Sequence, residues 1–205
     1  MRIDPQQLGA ADLYRFMIGA IVPRPIAWVS TRGGSGTNLA PFSYFTAISS
    51  DPPLVGFSIF EREGDPKDTL RNLRETGDWV VNVVSEPLLE AMVTSAGDWP
   101  RGVSEFEMAG LAEVASERVS APGVARAAIR LECRLVREVP LGANVFVIGE
   151  IVLAHADDAV MVDGRVDPER LAPIGRLGGE LFAPLREVRK VPRPRVSRTT
   201  GEPKA

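Results

Sequence analysis

The fold is decided by two neighbouring segments, Pro23-Arg24-Pro25-Ile26-Ala27-Trp28-Val29-Ser30-Thr31 and Asn38-Leu39-Ala40-Pro41-Phe42-Ser43-Tyr44-Phe45. The first is rich in β-branched and aromatic residues, which predicts a strand over residues 26–31. Gly33-Gly34-Ser35-Gly36 then predicts a turn, because glycine readily adopts the positive φ angles of a chain reversal. Pro41 lacks a backbone donor, so the second segment should lie at a sheet edge or a bulge. Its polar residues suit a cavity for a planar heterocyclic ligand, but an edge strand with a turn explains them equally well.

Length and composition indicate an ordinary globular chain. The 205 residues are 44% hydrophobic and 25% charged, which suits a single domain whose core needs no disulfide or metal. Cys133 is the only cysteine and His155 the only histidine, which excludes an internal disulfide and argues against a zinc site. No apolar run is long enough to span a bilayer, and the N-terminus has no signal-peptide pattern. We therefore expect a soluble cytoplasmic protein that binds neither metal nor membrane.

Charge is unevenly distributed along the chain. Residues 186–205 contain seven Lys or Arg and two Glu, which leaves the other 185 residues with a formal charge of −8 within a net charge of −3. A basic tail can contact nucleic acid or an acidic partner, but it is more often a solvated terminus. We expect one domain over residues 1–185 and a basic, flexible tail over residues 186–205. The acidic body argues against a nucleic-acid function.

Hydrophobic periodicity predicts a mainly β chain with a few helices. Period-two alternation is clearest over residues 129–139 and 145–155. The short connection Leu141-Gly142-Ala143-Asn144 predicts that these two strands pair antiparallel. Further predicted strands cover residues 54–60 and 78–84. Predicted helices cover residues 10–18 and 87–96.

Another predicted helix is a candidate anion site. Asp65 as N-cap and Pro66 at the first helical position predict where it begins. Free N–H groups and the helix dipole make such a terminus attractive to anions. Lys67 and Thr69 could add an ammonium and a hydroxyl to a phosphate, whereas Asp68 would oppose an anion unless it caps the helix or holds Lys67. A well-capped surface helix without a ligand is the alternative interpretation.

No side-chain catalyst stands out in the sequence. Gly33-Gly34-Ser35-Gly36-Thr37 lacks the Lys-Ser/Thr end of a P-loop, and no nucleophile elbow or pair of acid/base carboxylates is evident. His155 ends a predicted strand on its apolar face, where a structural role is the more common one. The glycines and Arg176 within residues 174–182 could form a loop over a ligand, or could simply let the chain leave the fold. A chain of this kind can leave its chemistry to a bound cofactor.

Seven segments occur in order along the chain: PRPIAWVST, NLAPFSYF, SSDPPLV, KDTLRN, FEMAGL, VIGEIVLAH and VDPERLAPIGRLGG. Together, over about residues 15–182, the chain resembles the flavin reductase-like family, the FMN-binding split β-barrel proteins. The resemblance implies a six-stranded antiparallel Greek-key split barrel with a few peripheral helices. It also implies a homodimer with the flavin near the subunit interface. Many members reduce flavin with NADH or NADPH, and some carry electrons as flavoredoxins.

The resemblance also implies a set of cofactor-binding residues. By segment they are Arg24, Ser30 and Thr31; Asn38, Pro41, Phe42 and Ser43; Ser58 and Arg62; Lys67, Asp68 and Thr69; and Arg176 and Phe182. Ser58 and Arg62 match the strand and loop that follow the ring-lining segment of the family. Lys67, Asp68 and Thr69 match its phosphate-binding turn. Two positions depart from the pattern, Thr46 where asparagine is frequent and Phe182 where tyrosine is frequent. Loss of the phenol removes a hydrogen bond, although stacking could persist.

The expected function is an FMN-binding NAD(P)H:flavin oxidoreductase without a catalytic side chain. Hydride transfer to flavin mainly requires stacking at near-contact distance. Backbone N–H groups and positive groups near the ring would stabilise its reduced, anionic form. Two alternatives stay open: an FMN-carrying electron-transfer protein without nicotinamide activity, and a flavin-binding module without turnover. The residues do not distinguish NADH from NADPH as the donor.

Overall fold

An antiparallel sheet of seven strands organises the residues that the computed structural model describes, 2–61 and 66–194. The strands in chain order are β1 (Ala27–Gly33), β2 (Gly36–Phe42), β3 (Phe45–Ser50), β4 (Pro53–Phe60), β5 (Asp78–Val83), β6 (Glu113–Val114), β7 (Gly123–Val124), β8 (Ile129–Leu141), β9 (Asn144–Ala156), β10 (Met161–Val162), β11 (Arg165–Val166), β12 (Ile174–Arg176) and β13 (Phe182–Pro184). The large sheet has the order β2-β1-β5-β8-β9-β4-β3. The remaining strands form the pairs β6-β7, β10-β11 and β12-β13.

Short helices accompany the sheet. They are α1 (Ala10–Ala20), α2 (Asp68–Thr76), α3 (Leu89–Ser95), α4 (Glu105–Met108) and α5 (Pro168–Leu171). Single 3-10 turns cover Pro5–Gln7, Glu86–Leu88 and Asp158–Val160. Within the described residues, every helix is too short or too polar to cross a membrane.

The large sheet has seven strands, so the six-stranded sheet that the resemblance implied is wrong in the number of strands. The segment from Asn38 to Phe45, expected at a sheet edge or a bulge, is divided at Ser43 and Tyr44 into β2 and β3. β2 pairs with β1, and β3 pairs with β4. These two strands are the edges of the sheet. The prediction that the segment containing Pro41 lies at an edge is therefore confirmed.

β8 and β9 form a long antiparallel pair, as their alternation predicts. The alternation is not continuous, because the register shifts between Glu132 and Cys133 and again between Leu135 and Arg137. An extra residue at a bulge changes which face of the sheet the following side chains occupy. Glu132 precedes the first shift, whose extra residue is Val152 of β9, so Glu132 keeps the face that its position in the pattern gives it. Only 1% of its surface is exposed all the same, because the N–H groups of Glu117 and Arg118 and the His155 ring contact its carboxylate on that face.

Two clusters of buried side chains hold the elements together. Phe57 and Trp79 lie in the first, with their ring centroids 5.8 Å apart in an edge-to-face arrangement. The second packs Trp28 with Met92 of α3 and Phe106 of α4. Burial of each such side chain stabilises the fold by about 1.5–3 kcal/mol. The second cluster therefore fixes α3 and α4 beside β2, where they border the candidate site.

α2 begins at Asp68, later than predicted. Lys67 occupies the N-cap position with φ −55° and ψ 151°, which is outside the helical region, so the predicted start at Pro66 is wrong. Asp65, the predicted N-cap, lies outside the described residues. Leu70 and Leu73 form the buried face of this helix.

The C-terminal tail is described only in part. Residues 186–194 are exposed and contain neither helix nor strand. Arg186 is nevertheless paired with Glu86. The rest of the predicted tail, residues 195–205, lies outside the described residues, so the domain boundary near residue 185 stays a prediction.

Candidate functional site

Two cavities adjoin at Pro41 and Ala96, which line both of them. We call the first, of about 510 Å³, the polar cavity; its walls include Asn38, Lys67, Thr69 and Glu105. The second, of about 540 Å³, is the apolar cavity, and its walls include Ile18, Ile26, Ser43, Met92, Val93, Arg176 and Phe182. Together they form a site with one polar and one mainly apolar compartment.

The N-terminus of α2 opens into the polar cavity. Lys67 lines the cavity at the N-cap, and its side chain makes no capping hydrogen bond. The first four N–H groups of a helix have no partner within the helix, and they attract anions when no side chain caps them. Lys67 is exposed, so its ammonium adds a positive charge beside those groups.

A chain of buried hydrogen bonds forms one wall of the polar cavity. The Thr69 hydroxyl donates to Asn38 Oδ1 at 2.6 Å, and Asn38 Nδ2 donates to Glu105 Oε1 at 2.8 Å. The other carboxylate oxygen, Glu105 Oε2, accepts from the backbone N–H of Leu39 at 3.0 Å. The hydroxyl hydrogen of Thr69 is thus already used, so in this arrangement it does not donate to a phosphate. Thr69 instead connects α2 to β2 and α4.

Burial changes the ionisation of Glu105. Its pKa is raised above the ordinary glutamate value, mainly because burial disfavours the charged carboxylate. The hydrogen bonds from Leu39 and Asn38 oppose this effect, and the nearby negative charge of Asp68 adds to it. The wall of the polar cavity therefore contains a carboxyl group that is unusually ready to bind a proton.

Arg24 has a structural role beside the apolar cavity. Its side chain is buried and donates to the backbone carbonyls of Ile18, Ile21 and Leu177 at 2.6–2.7 Å. A longer contact of 3.5 Å reaches the hydroxyl of Ser43. Most of its donors are occupied by the protein, so Arg24 shapes the cavity by tying α1 to the loop after β12.

Arg176 presents its charge to the apolar cavity differently. Its guanidinium carbon lies 4.3 Å from the centroid of the Phe182 ring, within the range of a cation–π contact. The pKa of Arg176 is lowered, first by burial and then by the positive charge of Arg24. The pair offers an anion or an electron-rich ring a cationic, flat surface.

Several predicted site residues do not line either cavity. Ser30, Thr31 and Phe42 are buried within the fold, and Ser58 is half-buried on β4. Asn82 donates to the Ser30 hydroxyl at 3.1 Å, and Asn72 donates to the Thr31 hydroxyl at 3.1 Å. These serine and threonine side chains therefore support the sheet beneath the site. Arg62 lies outside the described residues.

His155 faces a third, polar hollow of about 550 Å³, lined also by Arg126, Arg130 and Asp157. Its Nε2 is 2.6 Å from Glu132 Oε1. Burial raises the pKa of Glu132, but hydrogen bonds from the Glu117 N–H, His155 and the Arg118 N–H more than offset this, so the pKa lies below its ordinary value. The contact supports a structural role for His155, away from the two adjoining cavities.

Sequence reasoning missed the residues that close the polar cavity. Glu105, Trp99 and Arg101 all line it, and Arg101 is bound to Asp68 with an Nε–Oδ1 distance of 3.1 Å. None of the motifs considered in the sequence analysis includes these residues. Glu105 contacts strand β2 across 66 positions of sequence, and no local pattern signals such a contact.

The thiol of Cys133 does not contribute a nucleophile, because its burial raises its pKa far above the ordinary value. Among the described residues, no group of three or more His, Cys, Asp or Glu side chains is placed to hold a metal ion. The chemical character of the site therefore comes from its cavities, its cations and its hydrogen-bond donors.

Comparison with known proteins identifies the family. Residues 18–168 match the model of the flavin reductase like domain, so the chain belongs to that family. It is 41% identical to a protein of Halalkalibacterium halodurans over 205 residues, covering 96% of this chain and 98% of the relative.

Solved structures show the same fold. Nitrilotriacetate monooxygenase component B from Bacillus cereus has a TM-score of 0.90 and 37% identity, covering 93% of this chain and 98% of its own. The 2-nitrobenzoate 2-nitroreductase of Pseudomonas fluorescens has a TM-score of 0.88 and 30% identity, covering 98% of this chain and 100% of its own. A Shewanella frigidimarina protein with a split barrel domain has a TM-score of 0.83 and 25% identity, covering 94% of this chain and 99% of its own. The split-barrel fold implied by the resemblance is thereby confirmed, apart from the number of strands.

Proposed function

We propose that this protein binds FMN and transfers hydride equivalents from NADH or NADPH through the flavin to an acceptor. The observation that carries the proposal is the pair of adjoining cavities, one polar at a helix N-terminus and one mainly apolar beside a stacked arginine. FMN has the same division, with a phosphate at one end and a planar ring at the other. The family, and the reductase among the relatives, support a redox role.

The residues present fit FMN. Lys67 and the free N–H groups of α2 would hold the phosphate, with Asp68 restrained by its contact with Arg101. Pro41, shared by both cavities, would lie beside the middle of the ligand. Ser43, Arg176 and Phe182 would border the ring. Asn38 and Thr69 lie in the wall of the polar cavity, where their hydrogen bond holds α2 against β2.

The chain itself contributes binding, orientation and electrostatics. Bound flavin would supply the two-electron chemistry that the side chains lining the cavities do not offer. The Arg176 guanidinium, fixed on Phe182, would stabilise negative charge that develops near it, and its fixed position requires no reorganisation during the reaction. The apolar walls formed by Ile18, Ile26 and Met92 would exclude water from the same compartment.

We also propose that the protein acts as a homodimer. No residue of α1 is buried, and Tyr14, Phe16 and Met17 are exposed large side chains on that helix. The edge strand β3 likewise exposes Ile48. Tyr14 and Ile18 line the apolar cavity, so a second copy that covered α1 would also close the site. Location in the cytoplasm is a further proposal, resting on composition alone.

The function is tested by anaerobic reduction of the purified protein. Flavin absorbance in the protein, or after addition of FMN, shows whether the flavin binds. Loss of that absorbance on addition of NADH or NADPH supports the proposed reductase. Bound flavin that only dithionite bleaches would instead favour an electron-transfer protein without nicotinamide activity, and protein that binds no flavin would contradict the proposal.

A further inference from the structure

The polar cavity has an unexpected charge for a site that would hold a phosphate. Among the described residues, its charged lining side chains are two cations, Lys67 and Arg101, and three carboxylates, Asp68, Asp98 and Glu105. Their formal charges sum to −1. A phosphate ester carries a charge of about −1.5 to −2 at neutral pH, so like charges meet wherever these carboxylates remain ionised.

The three carboxylates differ in how their charge is compensated. Asp68 is 3.1 Å from Arg101 and 3.8 Å from Arg71. Asp98 is exposed, so solvent screens its charge. Glu105 is only 9% exposed, and its carboxylate accepts from an amide and a backbone N–H rather than from a cation. Glu105 is thus the carboxylate whose charge a phosphate in this cavity would feel with the least screening.

We propose that Glu105 is a specificity-determining carboxylate that weakens the hold of the polar cavity on the flavin phosphate, so that FMN exchanges readily instead of staying permanently bound. The inference rests on the proposed function, because it takes the flavin phosphate as the ligand of this cavity. Two hydrogen bonds connect Glu105 through Asn38 to Thr69 in the first turn of α2. The carboxylate is therefore close to the N–H groups that would hold the phosphate.

The effect should depend on pH. Burial raises the pKa of Glu105, and a phosphate beside it would raise the pKa further, since both favour the neutral acid. Protonation of Glu105 on binding would remove the repulsion. Lowering the pH should therefore favour FMN binding more in this protein than in a variant without a carboxylate at position 105. The other charged groups that line the cavity are Lys67, Arg101, the exposed Asp98, and Asp68, which contacts Arg71 and Arg101. Glu105 differs from the other two carboxylates in being buried and in accepting from an amide and a backbone N–H.

The test compares FMN with riboflavin, which has the same ring but no phosphate. Affinities of both flavins are measured by fluorescence quenching for wild type, Glu105→Gln and Glu113→Gln between about pH 5 and pH 8. Glu113 is a matched control, because its carboxylate also accepts from a β2 side chain, Thr37 at 2.6 Å, but lines neither cavity. Melting temperatures confirm that each variant is folded.

We expect Glu105→Gln to bind FMN about three- to tenfold more tightly than wild type at about pH 8, as expected for removing one partly screened charge. The gain should shrink towards about pH 5, and riboflavin affinity should stay the same in all three proteins. Glu113→Gln should match wild type for both flavins. Since the phosphate's own ionisation near about pH 6 affects every protein equally, the ratio of variant to wild type isolates Glu105.

Other outcomes are decisive as well. Equal or weaker FMN binding by folded Glu105→Gln at high pH would overturn the inference while leaving the proposed function intact. An equal change for FMN and riboflavin would do the same, because it would indicate a structural role. If Glu105→Gln does not fold, the same ratio is measured with Glu105→Ala, and folded Glu105→Ala that does not bind FMN more tightly than wild type at about pH 8 overturns the inference. Wild-type protein that binds neither flavin would overturn the proposed function itself.

Discussion

Two buried carboxylates, Glu105 and Glu132, differ in their surroundings and therefore in their ionisation. Glu132 accepts hydrogen bonds from two backbone N–H groups and contacts His155, and its pKa is lowered. Glu105 accepts from one backbone N–H and one amide, and its pKa is raised. Burial raises the pKa of both carboxylates, but the coulombic contribution of His155 lowers that of Glu132, whereas the coulombic contribution of Asp68 raises that of Glu105.

Glu132 and Glu105 also differ in their position relative to the proposed ligand site. Glu132 lies on β8 and holds the residues before β7 against the sheet, far along the chain from the proposed ligand contacts. Glu105 lies in the wall of the polar cavity, and a charge without a compensating cation is costly for folding. Such groups concentrate at functional sites, where the cost is part of the function. The predictions below test this division, from the largest expected effect to the smallest.

The largest effect should come from removing the better-compensated carboxylate. Glu132→Ala should lower the free energy of unfolding by about 3–5 kcal/mol, because it removes the shared acceptor of three part-buried hydrogen bonds to a charged group. Glu105→Ala should cost only about 1–2 kcal/mol, since water in the adjoining cavity can replace the lost acceptor. Urea denaturation of both variants measures the difference. Equal losses would show that the two carboxylates are not energetically distinct.

The proposed phosphate site in the polar cavity is tested by a substitution of Lys67. Lys67→Ala should weaken FMN binding by about tenfold or more, because one charge-assisted contact contributes about 1.5–3 kcal/mol. Stability should hardly change, since Lys67 is exposed. Lys190→Ala, an exposed lysine near the C-terminus, is the control for a general loss of positive charge. FMN affinity that is unaltered in Lys67→Ala would remove Lys67 from the phosphate site.

How much of this could be predicted from the sequence depends on the range of the interactions. The alternation of residues 129–139 and 145–155 predicted β8 and β9 well, because a sheet face imposes its period locally. Pro41 correctly indicated an edge strand, since a missing N–H excludes a central one. The divided strand at Ser43 and Tyr44 was missed, because strand pairing with β4 decides it.

The candidate site was less accessible to sequence reasoning. Lys67 and Arg176 both line a cavity, and a helix start and a glycine-rich segment drew attention to them in the sequence; their contact with a ligand stays a prediction. Arg24 looked like a ligand cation, but backbone carbonyls brought near by the fold occupy its donors. Glu105 and Glu132 were both missed as buried groups, since contacts with residues distant in the sequence bury both of them.

The pH dependence of stability should have opposite sign for the two carboxylates. The native pKa of Glu105 is raised, so its folded state holds the proton more tightly, and stability falls as pH rises above the ordinary glutamate range. The native pKa of Glu132 is lowered, so its contribution is present above that range and is lost as pH falls through the native pKa. Either contribution is at most about 1.4 kcal/mol per pH unit.

Melting temperatures of wild type, Glu105→Gln and Glu132→Gln across acidic to neutral pH measure these contributions. The advantage of Glu105→Gln over wild type should grow with rising pH, whereas the deficit of Glu132→Gln should grow over the same interval. Parallel curves for wild type and both variants would mean that neither carboxylate is linked to folding through its proton.

The smallest effect is expected for His155, the partner of Glu132. His155→Asn should cost about 1 kcal/mol of stability, because Asn can replace only part of a 2.6 Å contact to a carboxylate. The rate of anaerobic flavin reduction should stay nearly the same, since His155 lines neither of the two adjoining cavities and hydride transfer requires no proton donor at the nicotinamide. Stopped-flow absorbance with NADH or NADPH measures the rate, alongside flavin content and melting temperature. A hundredfold slower reduction with flavin content and stability intact would assign His155 to the reaction, and would make Glu132 a positioning residue instead of a purely structural one.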